Sequence, residues 1–262
     1  MELREAIGSR RSIRFLAPYR PVEPEKIQRM LEAARLASHW GNVQSLRALV
    51  VFRDSAPQQT LDALQAPIAG FQIRLAPVVI VWYVETAAVD EQSDRLRELL
   101  GAGALGFGEG KRDALENQLI PIFDSLREGL KQPGLNEIDC GQGIAQATLM
   151  AVEQGLGCCC LGTPHGEPIR KGLGLPDTCR ILLLQTVGYP AERPEAGGQR
   201  PRQPFERIFQ MNTYATPFPR SPQVVAELQS EKMLQAPAPL PWREAELDYL
   251  KKALGLKGHG LI

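Results

Sequence analysis

Histidine is scarce in this chain: His39, His165 and His259 are the only three in 262 residues. No serine, histidine and acid fall together as a convincing nucleophile and base, so covalent side-chain catalysis is not expected. Net charge is missing too. Thirty basic residues balance thirty acidic ones, which argues against a general attraction to nucleic acid or to acidic membranes. The longest apolar run, Ala76 to Val84, is far too short to cross a bilayer, and Met1 to Arg11 is charged throughout, unlike a signal peptide. A cytoplasmic location, with neither membrane nor nucleic-acid partners, is the expectation. Cysteine is sparse and odd in number, with Cys140, Cys158, Cys159, Cys160 and Cys179. Three in a row suit neither a disulfide framework nor a zinc spacing, and on a strand their sulfurs alternate between faces. They are expected to be reduced, buried and structural, with no metal.

What the chain has is a 44% hydrophobic content, enough for a substantial core. Helical spacing covers Glu2 to Gly8 and Pro24 to Ser38, where Ile27, Met30, Leu31, Ala34 and Ala37 fall on one face. Ala48 to Phe52 reads as a buried strand, and Ser55 with Gln58 marks a helix start. Pro77 to Val84 is apolar throughout, which places it in the centre of a sheet. A charged helix over Asp90 to Leu100 runs into the glycine-rich segment 101–110. That segment contains GxGxxG, but a charged helix precedes it where a dinucleotide site needs a strand, so it reads as a loop. Lys111 to Leu130 is helical with a kink expected at Pro121, and a long helix from Asn136 to Val152 follows. The latter carries small residues on one face, suited to close packing. Strands at Cys158 to Leu161 and Arg180 to Val187 complete the pattern. Residues 1–212 are expected to form one domain, with an insert near 90–135. Residues 213–262 read as a proline-rich arm ending in an amphipathic helix from Trp242 to Leu256, packed on its own domain or across a partner subunit.

The densest chemistry lies at Ser9-Arg10-Arg11-Ser12-Ile13-Arg14. Guanidinium forks and hydroxyls together suit a phosphate. Taken alone, the same charges would equally complement the negative end of the preceding helix in water.

Several separated pieces resemble the flavin-dependent nitroreductases, over roughly residues 3 to 210. They are Ala6-Ile7 with the Ser9–Arg14 cluster, Leu31 to Ala37 leading to Asn42-Val43-Gln44, Gly143 to Ala147 through Gly155-Leu156-Gly157, the Thr163-Pro164-His165-Gly166 loop, and Val187-Gly188-Tyr189-Pro190 with arginines soon after. The resemblance implies an α+β fold, a three-layer α/β/α sandwich with a mostly antiparallel central sheet. It also implies FMN as cofactor, NADH or NADPH as reductant, a homodimer with flavin at its interface, and ping-pong transfer of hydride through flavin N5 to a nitroaromatic, quinone or similar small-molecule acceptor.

By the same resemblance Arg10 and Ser12 would hold the FMN phosphate and ribityl chain, with Arg11 beside them and Arg200 or Arg202 closing from the far end of the chain. Arg14 would face N1 and O2 of the ring, where negative charge gathers on reduction. Asn42, with Gln44 assisting, would meet the pyrimidine edge, although both also suit a turn. Pro164, His165 and Gly166 would bring backbone N–H groups to N5 and O4. The family commonly has Ala-Pro-Ser before the asparagine and Pro-Trp after the glutamine, where this chain has Ala37-Ser38-His39-Trp40-Gly41 and Ser45-Leu46. His39 and Trp40 would then line the substrate side, or Trp40 would fill space. The rebuilt loop keeps alternatives open: a specialised flavin-cleaving, dehalogenating or dehydrogenating enzyme, or a flavin-binding protein without turnover.

Overall fold

The computed structural model describes residues 1–64, 70–163 and 166–256. Its sheet is built from β1 (Leu46–Phe52), β2 (Val78–Glu85), β3 (Gly157–Gly162) and β4 (Cys179–Gly188), every pair antiparallel, in the order β1-β2-β4-β3. The apolar run of β2 lies inside the sheet, as its composition demands. Alternate residues serve opposite faces. Val79 and Val81 join Leu184 and Leu161 in one core, while Val78, Ile80 and Trp82 join Val187 and Cys158 in the other.

Helices cover both faces. Among the described residues they are α1 (Leu3–Ser9), α2 (Pro24–Arg35), α3 (Gln58–Ala63), α4 (Gly70–Leu75), α5 (Gln92–Gly101), α6 (Glu109–Ala114), α7 (Ile120–Leu130), α8 (Leu135–Glu153), α9 (Gly166–Gly172), α10 (Phe205–Ile208), α11 (Pro222–Ser230) and α12 (Arg243–Ala253). α2 and α8 contribute Ile27, Met30, Ala34, Ile144, Ala147 and Ala151 to the Trp82 face. Their close approach uses the small residues of α8, since a Cβ on Gly143 would sit 3.0 Å from the Ala34 carbonyl. Into this face runs a buried polar chain: Trp82 Nε1 donates to Gln185 Oε1 at 2.8 Å, and Gln185 Nε2 donates to Thr148 Oγ1 at 2.9 Å. Every polar group in it finds a partner, which buried hydrogen-bonding groups require.

Three local expectations are corrected. The 48–52 strand is not fully buried but forms an edge of the sheet, because β2 has its other neighbour in β4. The helix expected over 111–130 is two helices joined by a wider turn at Leu115–Leu119. Pro121 has no N–H to close an ordinary turn, and the widened turn absorbs the missing bond. The cysteines are all free, but Cys160 is exposed at the sheet's β3 edge whereas Cys158 and Cys159 are buried.

The arm packs on its own chain. Gln199 N–H donates to the Ala236 carbonyl and Ala238 N–H to the Gln199 carbonyl, both at 2.9 Å, so the arm pairs with the loop after β4. Its middle lies over α1, where Arg4 bridges Glu227 and Glu231 and a side chain on Gly8 would collide with Lys232 and Met233. Leu250 of α12 enters the Val79 core, with Leu247, Leu254 and Leu256 packed around it. Beside them Arg243 Nη1 lies 2.7 Å from Glu192 Oε2, and the Glu192 side chain is completely buried.

Arg243→Met keeps the aliphatic stem but leaves the Glu192 charge without its cation. A loss of about 3 kcal/mol in urea unfolding is expected, the range for breaking a buried pair. The thiols give a second check. Burial raises Cys158 to about 12 and Cys140 and Cys179 to about 11, and packing around the accessible Cys160 raises it to about 11. Raised values mean less thiolate at any given pH. Iodoacetamide at neutral pH should therefore modify native protein slowly, at Cys160 alone, and all five cysteines only after unfolding.

Candidate functional site

The segment after α1 reaches its place by pairing with the sheet. Ser12 bridges to Cys158, Ile13 N–H donates to the Cys158 carbonyl at 3.0 Å, and Ala191 N–H donates to the Phe15 carbonyl at 2.9 Å. This threads Arg10 to Phe15 between β3 and the chain that leaves β4. Arg10, Arg200 and Arg202 thereby line one pocket of about 650 Å³, although about 190 residues of sequence separate the first from the other two. Gln199, Gln203 and Gln235 add polar groups, and no Asp or Glu lines the pocket.

Each arginine has a different fate. Arg11 borders the pocket but is 4% exposed and spends its donors on the fold. Its Nε donates to the Glu195 carbonyl at 3.2 Å, Nη1 to the Gly8 and Arg10 carbonyls, and Nη2 to Gln235 Oε1 at 2.8 Å. Arg11, expected only to sit beside the phosphate ligands, is a strut between α1, the 195 loop and the arm. Arg14 is held from its backbone. Its N–H donates to Glu192 Oε1 at 2.6 Å and Phe15 N–H to the same oxygen at 3.0 Å, while Arg14 Nη1 donates to the Ser12 carbonyl at 3.3 Å. Since Arg243 takes the other Glu192 oxygen, the Arg14 guanidinium keeps its charge uncompensated at close range.

Like charges crowd here. Burial, then the cations Arg14, Arg243 and Arg202, pull Arg200 below the ordinary arginine range, with Glu192 opposing. Burial, then Arg10 and Arg200, do the same to Arg11. A cluster of this kind favours a polyanion, and two converging guanidinium forks suit the three terminal oxygens of a phosphate.

The loop before β1 is built separately. Gly41, Asn42 and Gln44 have φ of 54°, 56° and 53°, a left-handed conformation that costs non-glycine residues free energy and gathers at functional sites. Packing enforces it: a Cβ on Gly41 would lie 2.3 Å from Gln92 and 2.7 Å from Phe123. Trp40 N–H donates to Asp139 Oδ2 at 2.7 Å, and the Trp40 ring stacks on Phe123 of α7 with centroids 4.5 Å apart. His39 is half-buried; its Nδ1 has no partner among the described residues, and burial lowers its pKa against the pull of Asp139. None of residues 39–44 lines the arginine pocket. Phe123 and Gln92 were not legible as site residues, because nothing in a charged helical pattern says which of its side chains meets a distant loop.

Pro164 and His165 lie outside the described residues. On either side of them, Gly166 opens α9, and Thr163 Oγ1 is buried with no partner among the described residues. A buried hydroxyl of this kind is ready for a polar group brought by a ligand. Among the described residues no cluster of three or more His, Cys, Asp or Glu could hold a metal, and no helix is long and apolar enough to cross a membrane.

The fold recurs in solved structures. A protein described as a nitroreductase in complex with FMN, from Exiguobacterium sibiricum, is 22% identical with a TM-score of 0.66, covering 81% of this chain and 98% of its own. A protein described as an NAD(P)H:FMN oxidoreductase, from Staphylococcus epidermidis, is 18% identical with a TM-score of 0.66, covering 80% and 95%. A nitroreductase family protein from Streptococcus pneumoniae is 21% identical with a TM-score of 0.61, covering 80% and 100%. At these identities the likeness establishes the fold, and no curated protein matches the chain. The sequence itself settles membership: residues 7–189, well over half of its length, match the profile of the nitroreductase family, and the chain belongs to that family.

Proposed function

We propose that this chain is an FMN-dependent oxidoreductase that takes hydride from NADH or NADPH and passes it to a nitroaromatic, quinone or similar acceptor, acting as a cytoplasmic homodimer. The observation that carries this reading is the meeting of Arg10, Arg200 and Arg202 in one pocket free of carboxylates. When bound, FMN supplies the ring nitrogen that accepts and returns hydride. Arg10 and Arg200 or Arg202 hold its phosphate, with Ser12 beside them at the β3 edge. Arg14 offers an unpaired positive charge to the end of the ring that becomes more negative on reduction. Thr163 and Gly166 border the loop that would present backbone N–H groups to the ring.

The dimer follows from the family resemblance, and Asn42 and Gln44, which lie outside the phosphate pocket, would meet the ring end of the flavin rather than its phosphate. Reductant and acceptor would take turns at one open face, in ping-pong order. The Trp40–Phe123 stack favours a second reading, a specialised member of the family with a narrower acceptor range, because it puts a rigid aromatic wall on the loop before β1.

The purified protein should be yellow, and anaerobic NADH or NADPH should bleach its flavin absorbance. A colourless protein that takes up no FMN on titration defeats the proposal. Bleaching followed by turnover with quinones or nitroaromatics favours the broad reading; bleaching with no turnover on either favours the specialised one. Arg10→Ala should weaken FMN binding about 10- to 150-fold, the worth of a charge-assisted bond of roughly 1.5–3 kcal/mol, with an unchanged circular dichroism spectrum. Stoichiometric FMN retained by the variant at micromolar concentration would remove Arg10 from the phosphate site.

A further inference from the structure

One buried carboxylate beside the arginine pocket has no part in the proposed reaction. The Oε1 atom of Glu192 is taken by the backbone N–H groups of Arg14 and Phe15, at 2.6 and 3.0 Å, which leaves Oε2 to a cation. Arg243 of α12 supplies it at 2.7 Å, its side chain only 11% exposed. The Arg243 Nη1 hydrogen bond goes to Glu246 Oε2, also at 2.7 Å, so Glu192 Oε2 is held by charge alone among the described residues. Arg14 and Arg200 belong to no ion pair among the described residues.

The seat for Arg243 is made of backbone. Gly197 has a φ of 82°, and a Cβ there would lie 2.6 Å from Arg243 Cγ and Cδ, so the arginine stem occupies the space of the missing side chain. Leu240 N–H donates to the Gly197 carbonyl at 2.8 Å, three residues before Arg200. One turn along α12, Glu246 Oε1 accepts from the Arg193 N–H at 2.7 Å. The entry to α12 and the helix itself thus grip the loop between Glu192 and Arg200 at both ends. Glu192, the loop and α12 all lie beyond the stretch that matches the family profile.

The surrounding charges decide what this grip does. Around Arg200 the cations Arg14, Arg243 and Arg202 repel, while Glu192 attracts. A buried carboxylate deprived of its partner takes the next cation within reach. Here those cations are the guanidinium groups assigned to the cofactor.

We propose that Arg243 is a positioning residue for the flavin: by holding Glu192 Oε2 it keeps a carboxylate off Arg14 and Arg200, and so sets both the affinity for FMN and the reduction potential of the bound ring. The inference rests on the flavin reading of Arg10, Arg14 and Arg200. Arg243 acts through Glu192. Without it, Glu192 competes with the phosphate and adds negative charge where reduction already places it.

The test uses the full-length protein reconstituted with FMN. Affinity is read by fluorescence titration, potential by anaerobic titration against a reference dye, and folding by circular dichroism. Arg243→Gln should bind FMN about tenfold more weakly and shift the potential to a more negative value, the result of freeing a buried charge. Arg243→Lys, which keeps the charge, should retain most of the affinity. Glu192→Gln/Arg243→Gln has neither charge, and should return to within about threefold of the parent affinity and to the parent potential, the coupling that a double-mutant cycle isolates. A purely structural role would make the single and double variants alike. Parent values in Arg243→Gln, or equal losses in single and double variants, overturn the proposal. Should Arg243→Gln not fold, Glu192→Gln alone decides: it still accepts both backbone N–H groups, leaves Arg243 to Glu246, and should shift the potential to a more positive value, and no shift overturns the proposal. Failure of the flavin reading looks different. If the parent takes up no FMN, that reading falls, and calorimetry with inorganic phosphate tests the same variants: weaker binding in Arg243→Gln that the double variant restores keeps the role of Arg243, while no binding or equal binding overturns it.

Discussion

A single buried carboxylate joins the parts of this molecule that sequence keeps farthest apart. Glu192 takes two backbone N–H groups from Arg14 and Phe15 on one oxygen and meets Arg243 of α12 with the other. The N-terminal segment, the loop after β4 and the C-terminal helix thus share one charge. An ionised side chain with no solvent access survives only with such compensation. The geometry has a chemical side effect: by accepting from the Arg14 backbone rather than from its guanidinium, Glu192 fixes where Arg14 sits without neutralising it.

The same economy shapes the arginine pocket. Arg11 is buried and satisfied by carbonyls and Gln235, so it stiffens the segment from which Arg10 and Arg14 project. Arg200 is drawn in by the pairing of Gln199 with the arm at Ala236 and Ala238. The fold therefore concentrates positive charge by backbone pairing, which is indifferent to side-chain repulsion. A ligand that supplies the missing negative charge gains what the free protein forgoes.

The sheet and its principal helices were legible because their signals are local: the unbroken apolar run of β2 and the helical spacing of Ile27, Met30 and Ala34 each fit one environment only. The arginine cluster was legible as a candidate site only beside the family pattern, since three guanidiniums after a helix mean little alone. What sequence withheld was set by distant partners. Arg11 reads like its neighbours, and only the approach of Glu195 and Gln235 turns it inward. Trp40 meets Phe123 across some eighty residues, and the expected boundary at residue 212 separates Phe205 and Phe209 from Phe218, which a hairpin gathers into one cluster. The exposed Cys160 shows the limit in miniature: β-alternation separates its face from that of Cys159 but cannot say that β3 ends the sheet.

The stitching of α1 to the arm bears on how the chain is made. Arg4 finds Glu227, and Arg11 finds Gln235, across separations of 223 and 224 residues. While a ribosome is still extending the chain, the first segment to emerge has none of these partners. The β2 centre can gather its helices during synthesis, but the pocket around Arg10 closes only after residues 199–237 have emerged. Nascent chains should therefore acquire a sheet before they acquire the arginine pocket.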